Sequence, residues 1–325
     1  MPKYVRAKIG DVTAGISAAI GEAFTQLIQT DDKIVAVGAD SLPWNIPAAA
    51  VKYLKEKAPE RYFDVGITED HFVTAAGGVA YEGFNVFCFD MGWLYFRGWN
   101  QIRQSIATDR FNIKMFGSAG WSAGGGVSHE VFEDFALMRV IPNMMVCAPA
   151  DSVEAKKMTF EAAKYIGPLW CRTPGRAVTP VIFEEDYPFQ LGVAATVRDG
   201  KDATIIGAQD WVYKSIMAAE TLAKEGIDAK VIDMSTIKPL DKKAVLQSAK
   251  ETGAIVTAET ASIIGGLGEA VASTLVENYP IPMKRIGIRD RFGQSTRNEA
   301  VMDADYNLTV ADLVSAVKDT VNRKK

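Results

Sequence analysis

The sequence predicts an α/β protein of two three-layer α/β/α domains, a larger one with a mostly parallel sheet over residues 1–187 and a smaller one over 188–325. Three observations predict it. Short β-branched apolar runs alternate with stretches whose apolar residues recur at helical spacing, a rhythm that requires crossover connections and therefore parallel strands. At 325 residues and 48% apolar composition the chain can fill two cores. Residues 184–201, EEDYPFQLGVAATVRDGK, carry turn formers and no long helical period, which places the junction there.

The elements follow in order. Residues 11–29 open at Asp11 or Thr13 and set Ile16, Ala19, Ile20, Ala23, Phe24, Leu27 and Ile28 on one side of a helix. The run 33–38, KIVAVG, is β-branched and ends at glycine, as a buried parallel strand does. A helix is expected near 48–57, a strand near 61–65, a helix from Glu69, a strand at 85–90 and a helix through Gln101, Ile102, Ser105 and Ile106. Then come a strand at 112–117, a helix at 129–140, a strand at 144–147, a helix after Asp151, and closing segments at 168–172 and 180–183. The second unit reads as strands 203–207, 229–232, 254–258 and 284–288 between helices 210–225, 242–251, 267–278 and 310–321. Its glycines Gly265, Gly266 and Gly268 do not fit GxGxxG, so they predict a tight turn into a helix and no dinucleotide site.

Composition narrows the function. A net charge of −4 with both signs scattered gives no basic stripe for nucleic acid. No stretch approaches the roughly 20 apolar residues needed to span a bilayer, and the first residues lack a secretory pattern, so a cytoplasmic location and no membrane partner are expected. Cys88, Cys147 and Cys171 are odd in number, without CxxC spacing, and lie in apolar contexts; they predict buried reduced thiols.

The chemistry centres on residues 64–100. Thr68 is a plausible cap, and Glu69 follows in the first turn of a helix carrying Phe72, Val73, Ala76, Val79 and Ala80. An acid there is also simply what the helix dipole favours. The next strand and loop hold Phe87, Phe89, Trp93, Tyr95 and Phe96 around a lone Asp90, more aromatic density than one strand needs for its core. Asp40, after the strand 33–38, stands where open α/β sheets bind ligands. Residues 117–129, GSAGWSAGGGVSH, form a glycine-rich loop that ends at His129, one of two histidines. His71, about 200° round the helix from Glu69 at roughly 100° per residue, is assigned to packing.

The segments FDVGITED, TAAGGVAYEG, GWNQIRQSIA, HEVFEDFALMRVIPNMMVCAPAD, STIKPLD, IIGGLGEAVA and IGIRDRFGQS, in order along nearly the whole chain, resemble the C-terminal half of transketolases. The resemblance implies a thiamine-diphosphate pyrimidine-binding domain followed by a transketolase C-terminal-like domain. It implies that Glu69 hydrogen-bonds the aminopyrimidine ring of thiamine diphosphate, that Asp40 lies near the coenzyme, and that Phe89, Trp93 and Phe96 are candidates for the stacking wall. A carboxyl in an apolar pocket can share a proton with a ring nitrogen, which promotes deprotonation of the coenzyme's reactive carbon. His129 matches a catalytic histidine that shuttles protons on sugar hydroxyls, and Arg172 matches an arginine that binds substrate phosphate, with Arg176 close by in sequence.

The chain also departs from the family. Its glycine loop is shorter, lacks a first histidine and has Gly125 in place of an acid; Trp44 replaces a serine that helps hold substrate phosphate. A bulkier, less polar or differently charged ketose than the usual sugar phosphates would suit Trp44 and Trp121. No GDG motif with its following asparagine is present, so no metal ligands are expected in this chain. The expectation is the C-terminal subunit of a split transketolase, moving a two-carbon ketol unit between a ketose and an aldose. An N-terminal partner subunit would hold the diphosphate and Mg2+ in an α2β2 heterotetramer. Two readings stay open at this point, the β subunit of a 2-oxo acid dehydrogenase and a non-catalytic scaffold partner.

Overall fold

The computed structural model describes residues 4–121, 125–174, 178–296 and 298–324. The first sheet has seven strands in the order Thr236–Lys238, Met145–Cys147, Leu169–Pro174, Ile113–Ala119, Asn85–Met91, Ile34–Gly38 and Tyr62–Asp64. All pair in parallel except Thr236–Lys238, which runs antiparallel to Met145–Cys147. The second sheet has five strands in the order Met283–Ile288, Ile255–Ser262, Ala203–Gly207, Ala229–Asp233 and Ala195–Arg198, with only the last antiparallel.

Two of these strands correct the sequence reading. Ala195–Arg198 lies in the stretch expected to be a plain junction, and Thr236–Lys238, from the second half, extends the sheet of the first. Both are too short for alternation to declare itself. The first helix spans Ile16–Thr30, without a side-chain cap from Asp11 or Thr13; Thr13–Ala14 instead pairs with Thr179–Pro180. The helix expected at 129–140 is confined to Asp134–Arg139, preceded by a 3-10 turn at Gly126–Ser128.

Strand parity decides what each face of the first sheet does. Phe87 and Phe89 point to the side of helix Ile16–Thr30, where they pack with Phe24 and Phe116. Val86 and Cys88 point to the other side, where helix Glu69–Tyr81 lays down Phe72, Val73 and Ala76. Each fully buried phenylalanine contributes roughly 1.5–3 kcal/mol through burial alone. The Cys88-side core runs on into Ile206, Ile232, Val245 and Leu267, so the two sheets share apolar packing.

Polar groups lock that seam. Arg172 is 1% exposed; its guanidinium lies 3.0 Å from Asp134, donates to the Thr260 carbonyl at 2.8 Å, and covers the Phe135 ring at 4.5 Å. Trp170 Nε1 donates to the same Asp134, and Arg139 reaches the Gly266 carbonyl. Glu259 is fully buried and accepts from the Leu267 and Gly268 amides, capping helix Leu267–Asn278 where Gly265 turns at φ 74°. The predicted tight turn into a helix is therefore present, closed by a side chain from the adjoining strand.

Candidate active site

Glu69 is the first residue of helix Glu69–Tyr81 and is 8% exposed. Thr68 precedes it but does not cap: its hydroxyl donates back to the Val65 carbonyl at 3.1 Å, leaving the first-turn amides without a side-chain acceptor from Thr68. The carboxylate lies 3.5 Å from Arg97 Nη1, on a side chain 71% exposed. Gly98 eases this meeting: a Cβ there would sit 2.9 Å from Val73 Cγ2 and 3.2 Å from the Glu69 carbonyl, so a larger residue would push the end of Gly92–Arg97 away from the helix start.

A second carboxyl stands beside it. Asp90, 2% exposed at the end of strand Asn85–Met91, accepts the Met91 amide on Oδ1 at 2.8 Å, while Oδ2 is buried without a hydrogen-bond partner. Burial pushes its pKa up to about 6, opposed by the Met91 amide and by the nearby Ser41 hydroxyl and Ala39 amide, with the Glu69 charge adding to the rise. Neither Ser41 nor Ala39 makes a hydrogen bond to Oδ2; the Ser41 hydroxyl donates to the Phe89 carbonyl. Asp90 drew no role from the sequence; parity along 85–91 carries the signal, since it puts Asp90 on the Cys88 face with Glu69.

The loop after strand Ile34–Gly38 covers this end of the sheet. Asp40 is exposed, holds φ 61°, and donates its amide to Asp64 Oδ1 at 2.7 Å. Trp44 is 85% exposed and, with Asn45, Ser17, Phe89, Asp90, Ser118 and Thr173, borders a cavity of about 150 Å3. Across the strand ends, the exposed His129 sets its ring 4.0 Å from that of the half-buried Trp93, with Nδ1 2.7 Å from the Ser128 hydroxyl. Phe96 is half-buried against the core of the Glu69 helix.

Three expected assignments change. Phe89 is 3% exposed and its ring is engaged with Phe24, Phe87 and Phe116, so it cannot also offer a face for stacking at Glu69. Arg172 is 1% exposed and engaged by Asp134 and the Thr260 carbonyl, a structural lock closed off from a phosphate arriving from solvent. His71, assigned to packing, is exposed. Arg176 lies outside the described residues. The three cysteines are buried and free, as expected, and burial pushes the Cys147 thiol up to about 12.

These residues fit the heterocycle end of the coenzyme. A buried carboxyl, an unfilled buried acceptor beside it, and partly exposed aromatic surface at Trp93 and Phe96 are what an aminopyrimidine needs. For the diphosphate end, no group of three or more His, Cys, Asp or Glu able to hold a metal occurs among the described residues.

Comparison with known proteins gives matches to "Transketolase, pyrimidine binding domain" over residues 13–180 and "Transketolase, C-terminal domain" over residues 192–313. The 6-deoxy-6-sulfo-D-fructose transketolase subunit SqwH of a Clostridium species is 38% identical over 91% of both chains. A putative transketolase C-terminal section of Methanocaldococcus jannaschii is 35% identical, covering 91% of this chain and 93% of that one. An apulose-4-phosphate transketolase subunit of Phocaeicola vulgatus is 36% identical, covering 83% of this chain and 86% of that one. Among solved structures, a split-gene transketolase in the form of an inactive β4 tetramer superposes with a TM-score of 0.85 at 36% identity, covering 96% of this chain and 99% of that one.

Proposed function

The chain belongs to the transketolase family, and from that membership we propose that it is the C-terminal, pyrimidine-binding subunit of a split transketolase that transfers a two-carbon ketol unit from a ketose to an aldose. The observation that carries the reading is the buried Glu69 carboxyl at a helix start, with Asp90 beside it, at the end of the sheet where α/β proteins take their ligands. Bound thiamine diphosphate supplies the carbon nucleophile and electron sink of the reaction. Glu69 shares a proton with the heterocycle, and its burial keeps water from competing for that hydrogen bond. Arg97, on the solvent side, balances the Glu69 charge from 3.5 Å. His129, its Nδ1 tied to Ser128 and its ring against Trp93, leaves Nε2 to give and take protons at substrate hydroxyls. Trp44 and Asp40 line the approach from the opposite loop.

An N-terminal subunit would provide the diphosphate cradle and Mg2+, making an α2β2 assembly in the cytoplasm. Supporting this are the relatives of matching length, which are themselves transketolase subunits or sections, and the β4 neighbour, which is inactive as an assembly of one subunit type. No helix among the described residues is long and apolar enough to cross a membrane.

The test is Glu69→Gln in the complex reconstituted with the N-terminal subunit, thiamine diphosphate and magnesium. Ketol transfer should fall by roughly 10²–10⁴-fold, the scale of a lost proton-transfer group, while the complex assembles normally. Undiminished transfer would leave a scaffold role in place of the enzymatic one.

A further inference from the structure

We propose that Asp90 is a positioning residue of the Glu69 site, its Oδ2 accepting a hydrogen bond from an uncharged N–H or O–H donor on the bound coenzyme or sugar. The proposal deepens the coenzyme reading above and rests on it. A buried carboxylate oxygen without a donor is costly, so such oxygens are normally filled. Two other buried carboxyls have theirs filled: Asp151 accepts from Glu154 on Oδ1 and from Ile182 and Phe183 on Oδ2, and Glu259 takes one amide on each oxygen, whereas the unfilled oxygens of Glu154 and Asp233 belong to two carboxyls set against each other in the core. Asp90 fills only Oδ1, although it is 2% exposed and borders a cavity of about 150 Å3. An incoming donor would complete it without displacing an existing partner.

The surroundings fix which donor fits. Glu69 faces Asp90 from the neighbouring helix, Cys88 lies on its own strand, and Tyr95 and Arg97 come from the segment after it, with Asp40 in the loop above. Burial holds Cys88 and Tyr95 protonated, so Glu69 is the neighbouring charge that adds to the rise at Asp90, and Arg97 already answers it. A second anion is repelled from this spot, whereas a ring amino group or a sugar hydroxyl donates and adds no charge. Protonating Asp90 puts the hydrogen on Oδ2, because Oδ1 already accepts the Met91 amide. That turns the acceptor into a donor, and ligand binding should weaken as pH falls through about 6.

The experiment uses the reconstituted complex with magnesium. Thiamine diphosphate affinity is read by quenching of tryptophan fluorescence, and ketose KM by initial rates, between pH 5 and 8. Asp90→Asn puts an amide donor where the acceptor was and should weaken one ligand by about 10–100-fold. Weaker coenzyme binding identifies the ring amino group as the donor; a raised ketose KM with coenzyme affinity intact identifies a hydroxyl. In either case the wild-type loss below about pH 6 disappears in the variant. Should Asp90→Asn not fold, Asp90→Ser and the wild-type pH curve carry the test. Unchanged affinity and KM in the variants, or wild-type binding flat from pH 5 to 7, overturns the proposal. Glu69→Gln, measured alongside, separates the two failures: if it abolishes transfer while the Asp90 variants do nothing, only the role of Asp90 falls.

Discussion

Buried charge is handled in opposite ways at the seam between the two sheets and at the strand ends of the first. At the seam, Arg172 meets Asp134, the Thr260 carbonyl and the Phe135 ring, and Glu259 fills both oxygens with helix amides. At the strand ends, Asp90 leaves Oδ2 without a hydrogen-bond partner, Glu69 pairs with an exposed arginine, and His129 and Trp44 face solvent. The seam pairs opposite charges across two domains, whereas the strand ends set two carboxyls, Glu69 and Asp90, on the same side of one sheet. Burial alone therefore does not mark a functional acid; an unfilled acceptor that also borders a cavity at the strand ends, as Asp90 does, says more.

Perturbing each region sharpens the contrast. The largest effect belongs to Glu69→Gln, where transfer collapses and the melting temperature of the subunit stays close to wild type. Next is Arg172→Ala, which strands Asp134 in the seam: denaturant titration should show a loss of about 3–5 kcal/mol, as for other broken buried pairs. If Arg172→Ala instead left stability intact and only raised a sugar-phosphate KM, its assignment as a lock would be wrong. His129→Ala should lower kcat by roughly 10²-fold with little change in the unfolding midpoint, because its ring is exposed. The smallest effect is a slope. Burial raises the Glu259 pKa to about 7, against the two amides and the nearby Arg172 and Arg139 that oppose the rise. The native state then holds a proton that the unfolded chain has released, so this contribution to stability is full below the ordinary glutamate range and is lost as pH rises to about 7. Glu259→Gln should flatten the fall in melting temperature over that interval, with the site's own pH dependence unmoved.

The sequence makes the long elements legible, because helices such as Val310–Val321 and strands such as Ile34–Gly38 carry enough periods to declare themselves. Glu69 stands out as an acid opening an apolar helix. Counting aromatics without counting parity misplaces Phe89: Phe87 and Phe89 lie on one face, and Asp90, one residue on, lies on the other. Arg172 misleads because a strand-end arginine looks alike whether it meets solvent or a second domain, and the partner carbonyl at Thr260 is 88 residues away. Thr236–Lys238 stays hidden because three residues give no alternation and its mate is distant in the chain.

That three-residue strand determines how the polypeptide can be divided. It shields the Met145–Cys147 ladder, so an excised first half would present a naked row of amides and carbonyls inviting adhesion to any extended peptide. The halves match two separate family models yet form a single unit by mechanics. Shuffling them among relatives would demand that the clasp travel with the sheet it closes.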